Sequence, residues 1–169
     1  SSPYAKLSVV GSVVGQDFDA TTTNGYKQYG QTILFGATST DFSSISASGN
    51  NLFVGFGAGT STIPNIVSLV GMNNTFAGFW SGQGNTTGYN NVGLGSLSLY
   101  KNIDGSENLA IGYRALAGNL SGSYNQALGD QALSGNTGSK NTALGVSALN
   151  AKGSGDSNVA LGYHSMSLN

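Results

Sequence analysis

Apolar, small and polar positions recur with a fixed order and a fixed period along the second half of the chain. The string Asn-x-[Ala/Val/Gly]-[Leu/Ile]-Gly occurs at Asn91 to Gly95, Asn108 to Gly112, Asn125 to Gly129, Asn141 to Gly145 and Asn158 to Gly162, its closing glycines 17, 17, 16 and 17 residues apart. Asn74 to Gly78 lies one period upstream, and Asn51 to Gly55 lies 23 residues before that, with an insertion around Pro64. In the five units from Asn91 onward the side chain three residues after the glycine is always small (Ser98, Ala115, Ala132, Ala148, Ser165), and one residue later it is always large and apolar (Leu99, Leu116, Leu133, Leu149, Met166). Such a size rule implies stacking of equivalent positions. Apolar residues show no sustained i, i+3, i+4, i+7 pattern, and a 17-residue unit is too short to hold two helices, so a helical solenoid is disfavoured.

The period predicts an all-β fold, a parallel β-solenoid of about seven coils with period near 17 over residues 50–169. Each repeat is expected to contribute two short strands and two corners. Stretches such as Asn102 to Ser106, Asn119 to Ser123 and Asn136 to Ser139 carry turn chemistry, with glycine supplying positive φ and asparagine tolerating it. Coils stacked at roughly 4.8 Å would make a rod roughly 30 Å long, bury the leucine and alanine columns and pair each backbone with the coils on either side. Asn91, Asn108, Asn125, Asn141 and Asn158 share one corner, where they either form an amide ladder or serve only as turn formers.

Residues 1–49 lack the repeat and are read as an N-terminal β-rich capping or assembly segment. Tyr4 to Val14 and Gln31 to Phe35 read as strands, with Thr21 to Gly25 as a loop or hairpin turn between them. The stiff run carrying Val9, Val10, Val13 and Val14 suits strand addition to a neighbouring copy.

Composition narrows the function classes. The 169 residues include 27 glycines, only 8% charged residues, 38% hydrophobic residues and no cysteine. Aromatic and aliphatic content argues against disorder. A net charge of −1 supplies no field for nucleic acid or an anionic membrane, and no run of 18 apolar residues exists to insert into one. The single histidine, His164, occupies the same repeat position as Leu97, Arg114, Gln131 and Ser147, which reads as variable and outward-facing. Among dispersed carboxylates only Asp17 and Asp19 lie close together, too few for a convincing Ca²⁺ site. Gly55 to Gly59 resembles a phosphate loop but precedes no amphipathic helix. The sequons at Asn73, Asn85 and Asn119 are expected by chance in so Asn-rich a chain. The expectation is therefore no catalytic residue, no cofactor and no metal. The best binding signal is aromatic: Phe56, Phe79, Tyr113 and Tyr163 follow the repeat glycine, with Trp80 beside Phe79, and read as an oligomer interface or as a strip for sugars.

Units such as Asn141 to Leu149 resemble the head repeats of YadA-type trimeric autotransporter adhesins and the repeats of phage tail fibres; the likeness covers residues 74–169 well and 50–73 loosely. The resemblance implies a left-handed β-roll, trimeric assembly, and a place on a cell surface or virion tail fibre. The adhesin repeat is nearer fourteen residues, so the coils here are longer at their corners. The functional expectation is a non-enzymatic extracellular structural protein, a subunit of a surface fibre or filament built by stacking and N-terminal strand addition. The alternative is an adhesin head or receptor-binding module whose partner is a cell-surface glycan or protein.

Overall fold

The computed structural model describes residues 26–28, 31–34, 50–65, 68–150 and 153–167. Tyr4 to Val14, the Thr21 to Gly25 turn and the Asp17/Asp19 pair lie outside these residues. Tyr26–Gln28 (β1) and Gln31–Leu34 (β2) pair antiparallel, Gln28 opposite Gln31.

Seven three-residue strands then form one parallel sheet in sequential order: Leu52–Val54 (β3), Thr75–Ala77 (β4), Val92–Leu94 (β5), Leu109–Ile111 (β6), Gln126–Leu128 (β7), Thr142–Leu144 (β8) and Val159–Leu161 (β9). Every strand pairs residue for residue with the next, for example Val92 with Leu109 and Leu94 with Ile111. The chain is a parallel β-solenoid in which each strand opens one coil. Strand periodicity fixes which side chains enter it: the middle residue (Phe53, Phe76, Gly93, Ala110, Ala127, Ala143, Ala160) points into the coil and is buried.

Only one side of each coil is a strand, which corrects the expectation of two. The other side runs through the four residues after the repeat glycine in turn conformation. Leu97, Arg114, Gln131, Ser147 and His164 have φ of 52° to 60°, and Leu99, Leu116, Leu133, Leu149 and Met166 have φ of 50° to 54°. Positive φ at every second residue cannot continue a strand. The backbone still pairs between coils, the N–H of Leu99, Leu116, Leu133 and Leu149 donating to the carbonyl of Ala115, Ala132, Ala148 and Ser165. Packing and inter-coil hydrogen bonds hold leucine in a conformation it rarely adopts. The repeat glycine itself is demanded twice over. Gly78, Gly95, Gly112, Gly129 and Gly145 have φ of 129° to 139°, and an added Cβ would lie 2.5 to 2.6 Å from the next coil's glycine backbone.

Leu99, Leu116, Leu133 and Leu149 form the predicted buried column, flanked by buried Ser98, Ala115, Ala132 and Ala148. Met166 departs from it: its side chain is 38% exposed because no further described coil covers β9. The insertion near Pro64 leaves the stack after Ile63, whose N–H donates to Thr86, and returns at Gly71, whose N–H donates to Thr87; Asn65 and Val70 pair to close the excursion.

Candidate functional site

The interior is organised by asparagine more than by hydrocarbon. Asn74, Asn91, Asn108, Asn125 and Asn141 are fully or almost fully buried, each Oδ1 accepting the backbone N–H of the corresponding asparagine one coil on, at 2.9 to 3.0 Å. Each Nδ2 donates across the coil to a corner glycine carbonyl: Asn74 to Gly88, Asn91 to Gly105, Asn108 to Gly122, Asn125 to Gly138 and Asn141 to Gly155. Amide-to-amide bonds add to the column at Asn108 to Asn91, Asn141 to Asn125 and Asn158 to Asn141. The ladder is therefore real. Turn preference is not what these residues supply, since positive φ belongs to their predecessors, Asn90, Glu107, Tyr124, Lys140 and Ser157.

A second ladder stands opposite, in residues read from the sequence as turn formers at the corners. Asn85, Asn102, Asn119 and Asn136 are buried; Asn102 donates to Asn85 at 2.7 Å and Asn119 to Asn102 at 2.8 Å. Asn85, Asn102 and Asn119 also donate to Gly88, Gly105 and Gly122, so each of these carbonyls receives two amides. The corner glycines do not use positive φ, contrary to expectation. They are glycine because a Cβ on Gly105 or Gly122 would lie within 2.4 Å of an asparagine Oδ1 and of the next corner's carbonyl. Burial also removes Asn85 and Asn119 as glycan acceptors, while Asn73 is exposed. The signal for this ladder was present as the recurring Asn-x-x-Gly spacing, but spacing alone does not reveal which way a side chain points.

Outside the coil, the first and third residues of each strand from β3 to β9 face away from the interior. The third-residue column is apolar throughout (Val54, Ala77, Leu94, Ile111, Leu128, Leu144, Leu161), and Leu94, Ile111, Leu144 and Leu161 are exposed. The first-residue column adds Leu52, Val92, Leu109 and Val159 and carries no charge. Neighbouring strands lie about 4.8 Å apart, so the third-residue column forms a continuous apolar ribbon, while the first-residue column is interrupted by Thr75, Gln126 and Thr142. Single exposed apolar residues are ordinary, whereas here they recur in one column from coil to coil.

The aromatic candidates divide into two groups. Phe56 and Phe79 stack with centroids 5.8 Å apart, Phe79 on Trp80 at 4.5 Å and Trp80 near Tyr100 at 5.9 Å, giving a run of four rings across the first three coils. Tyr113 and Tyr163 are exposed but stand apart from that run and from each other, because Ser96, Asp130 and Val146 occupy the same position in the intervening coils. His164 is exposed and meets Tyr163 edge-on at 4.3 Å. Ser147, expected to face outward, is buried. Val9, Val10, Val13 and Val14 lie outside the described residues.

On the turn side, Trp80, Tyr100, Lys101, Arg114, Ser134 and Thr137 line an open groove of about 850 Å³. Elsewhere on the surface, Glu107 stands one coil before Tyr124, and its negative charge raises the Tyr124 pKa above the ordinary 10.0, with burial and Tyr89 contributing less. Among the described residues no three His, Cys, Asp or Glu side chains converge as a metal site would require. No described helix is long and apolar enough to cross a membrane. Comparison with protein-family models, curated proteins and solved structures gives no match to this chain.

Proposed function

We propose that this chain is a non-enzymatic structural subunit of an extracellular fibre or surface filament, and that copies of it associate through the outward apolar ribbon of the parallel sheet. The single observation that carries the reading is that ribbon: seven coils in succession present an aliphatic third strand residue, with no charge in either outward column. A monomeric rod would leave this surface in water at a cost of about 25 cal/mol per Å². A second copy laid along it gives each leucine an apolar neighbour, and repetition along the axis gives the contact length.

The likeness of the repeats to adhesin heads and tail fibres implies either a stiff fibre segment, which supports the same reading, or surface attachment, which is the alternative. Stacking of one solenoid on the next through N-terminal strand addition remains a second route of assembly. The ribbon route is tested by measuring mass in solution and imaging negatively stained particles for the wild-type chain and for the pair Ile111→Glu and Leu144→Glu. The expected result is a defined oligomer or filament for the wild type and monomeric rods of unchanged far-UV circular dichroism for the variant. A wild-type chain that stays monomeric at high concentration would refute self-association. The alternative reading, an adhesin or receptor-binding module, is favoured by one separate observation, the groove of the turn side.

A further inference from the structure

We propose that the groove on the turn side binds an acidic polysaccharide laid along the solenoid axis, with Trp80 and Tyr100 as stacking surfaces and Lys101 and Arg114 as the partners of its anionic groups. This proposal rests on the solenoid alone and does not require self-association.

The groove arises from a change in residue size along the stack. Five and six positions after the repeat glycine, the third coil carries Tyr100 and Lys101, whereas the next two carry Ala117 with Gly118 and Ser134 with Gly135. Large side chains therefore wall one end, and small ones leave a depression of about 850 Å³ that continues to Thr137, Gly153 and Ser154. That volume lies within the ordinary range for ligand sites. From Trp80 to Ser154 it crosses coils spaced about 4.8 Å apart, roughly 20 Å in all, which suits an extended oligomer better than a compact molecule.

The wall is held in place. The Trp80 indole lies over the backbone of Gly57, where an added Cβ would be 2.2 Å from Cδ1, and the ring is stacked on Phe79 at 4.5 Å and on Tyr100 at 5.9 Å. An aromatic ring fixed at low entropic cost is the surface on which the apolar face of a pyranose stacks. Charge then selects among sugars. Of the three lysine and arginine side chains that the structure describes, Lys101 and Arg114 line this groove, no carboxylate lines it, and neither cation is ion-paired among the described residues. In a chain of net charge −1 this is a local reversal of sign. Unpaired Arg and Lys flanking hydroxyls and glycine backbone match a uronate or sulfated sugar.

Other ligand classes fit less well. A peptide strand would need free backbone groups, but Gly84, Lys101 and Gly118 already donate their N–H groups to Tyr100, Ala117 and Ser134 of the adjacent coils. Two cations supply too little charge for nucleic acid.

Trp80 is the only tryptophan in the chain, so its fluorescence reports on this groove. The test titrates the protein, in whatever assembly state it adopts, with hexagalacturonate, with a sulfated dextran oligosaccharide, with neutral maltohexaose and with polyglutamate. The expected result is a saturable change in Trp80 emission with at least one acidic sugar, weakened by added salt and absent with maltohexaose and polyglutamate. The pair Lys101→Gln and Arg114→Gln is expected to weaken that binding by about tenfold or more while the melting temperature holds; the next coil already carries Gln131 at the position of Arg114. No response to either acidic sugar, equal response to maltohexaose or polyglutamate, or wild-type affinity in the double variant would each overturn the proposal. Loss of Trp80 as a reporter is avoided by repeating the decisive titration by calorimetry.

Discussion

The first two coils and the five that follow fill the same cross-section with opposite residues. In β3 and β4 the inward strand residue is phenylalanine (Phe53, Phe76), and the position four after the repeat glycine is glycine (Gly59, Gly82). From β6 onward the inward residue is alanine, and the facing position is leucine or methionine. The exchange is steric. An added Cβ on Gly59 or Gly82 would lie 2.4 to 2.6 Å from the Phe53 or Phe76 ring, which already occupies the space leucine takes in later coils. The two rings stack at 5.4 Å, continuing as an aromatic column what the leucines continue as an aliphatic one. Gly93 sits at the seam, where a Cβ would come 3.0 Å from Phe76 and 2.8 Å from Ser81 Oγ. The lesson is that the solenoid conserves volume per coil, at the close packing usual for protein interiors, and lets the chemistry on each side vary.

What both regions share is the asparagine column. It starts at Asn51, whose Oδ1 accepts the N–H of Asn74 and whose Nδ2 reaches the Gly71 carbonyl, and it continues through both fillings without a change of partner type. Hydrogen-bond geometry is far less tolerant than hydrocarbon packing, so the ladder fixes coil spacing while the core residues adapt.

These two fillings can be set against each other by substitution. The largest effect is expected for Leu133→Asp, which places an unpaired charge in the aliphatic column. A loss of several kcal/mol is predicted, read as a lowered urea midpoint. Phe76→Ala should cost about 3 to 5 kcal/mol and Gly82→Leu about 1 to 3, but the two together rebuild the alanine-leucine pairing of later coils. The double variant is therefore expected to recover about 0.5 to 3 kcal/mol relative to the sum. Strict additivity in that cycle would show that volume compensation is not what relates the two regions.

A smaller effect concerns the shared framework. The coil between Gly129 and Gly145 is one residue short, and the missing residue falls in the Asn136 to Ser139 corner. Asn136 Nδ2 consequently reaches Gly138 only at 3.5 Å and makes no bond to Asn119, whose buried Oδ1 is left without a partner. Inserting one serine between Thr137 and Gly138 should restore the corner and stabilise by about 1 kcal/mol in chemical denaturation.

The smallest effects belong to the outer surface. Gln131→Ala should change stability by less than about 0.5 kcal/mol. Phenolate absorbance should show Tyr124 titrating above the ordinary tyrosine value, and Glu107→Gln should bring it back towards 10.0. Because the folded pKa is raised, the associated stability is intact below about pH 10 and is lost as pH rises through the folded value.

Much of this was legible in the chain. The period, the parallel stack, the leucine column and the candidate ladder at Asn91 to Asn158 follow from recurrence, because equivalent residues in a one-dimensional stack must touch their counterparts. Met166 follows the same rule in sequence yet is half open, because burial in a stack depends on the coil beyond. The aromatic run was only partly visible: Phe56, Phe79 and Trp80 were identified, but Tyr100 lies at a different repeat position and meets Trp80 only across coils. The turn-side groove was not legible at all, since it depends on side-chain size differences between coils rather than on any motif.

The sequence by itself determined which residues align, because alignment in a solenoid is a matter of counting. Only the tertiary structure decided which way each aligned column points. The leucine of Asn-x-x-Leu-Gly faces outward, while the corner asparagines face inward; the positive φ at Leu97, Leu99 and their counterparts redirects the chain by an amount that no residue preference announces. Direction is set by backbone dihedrals held in place by neighbouring coils, and those neighbours exist only once the stack has formed.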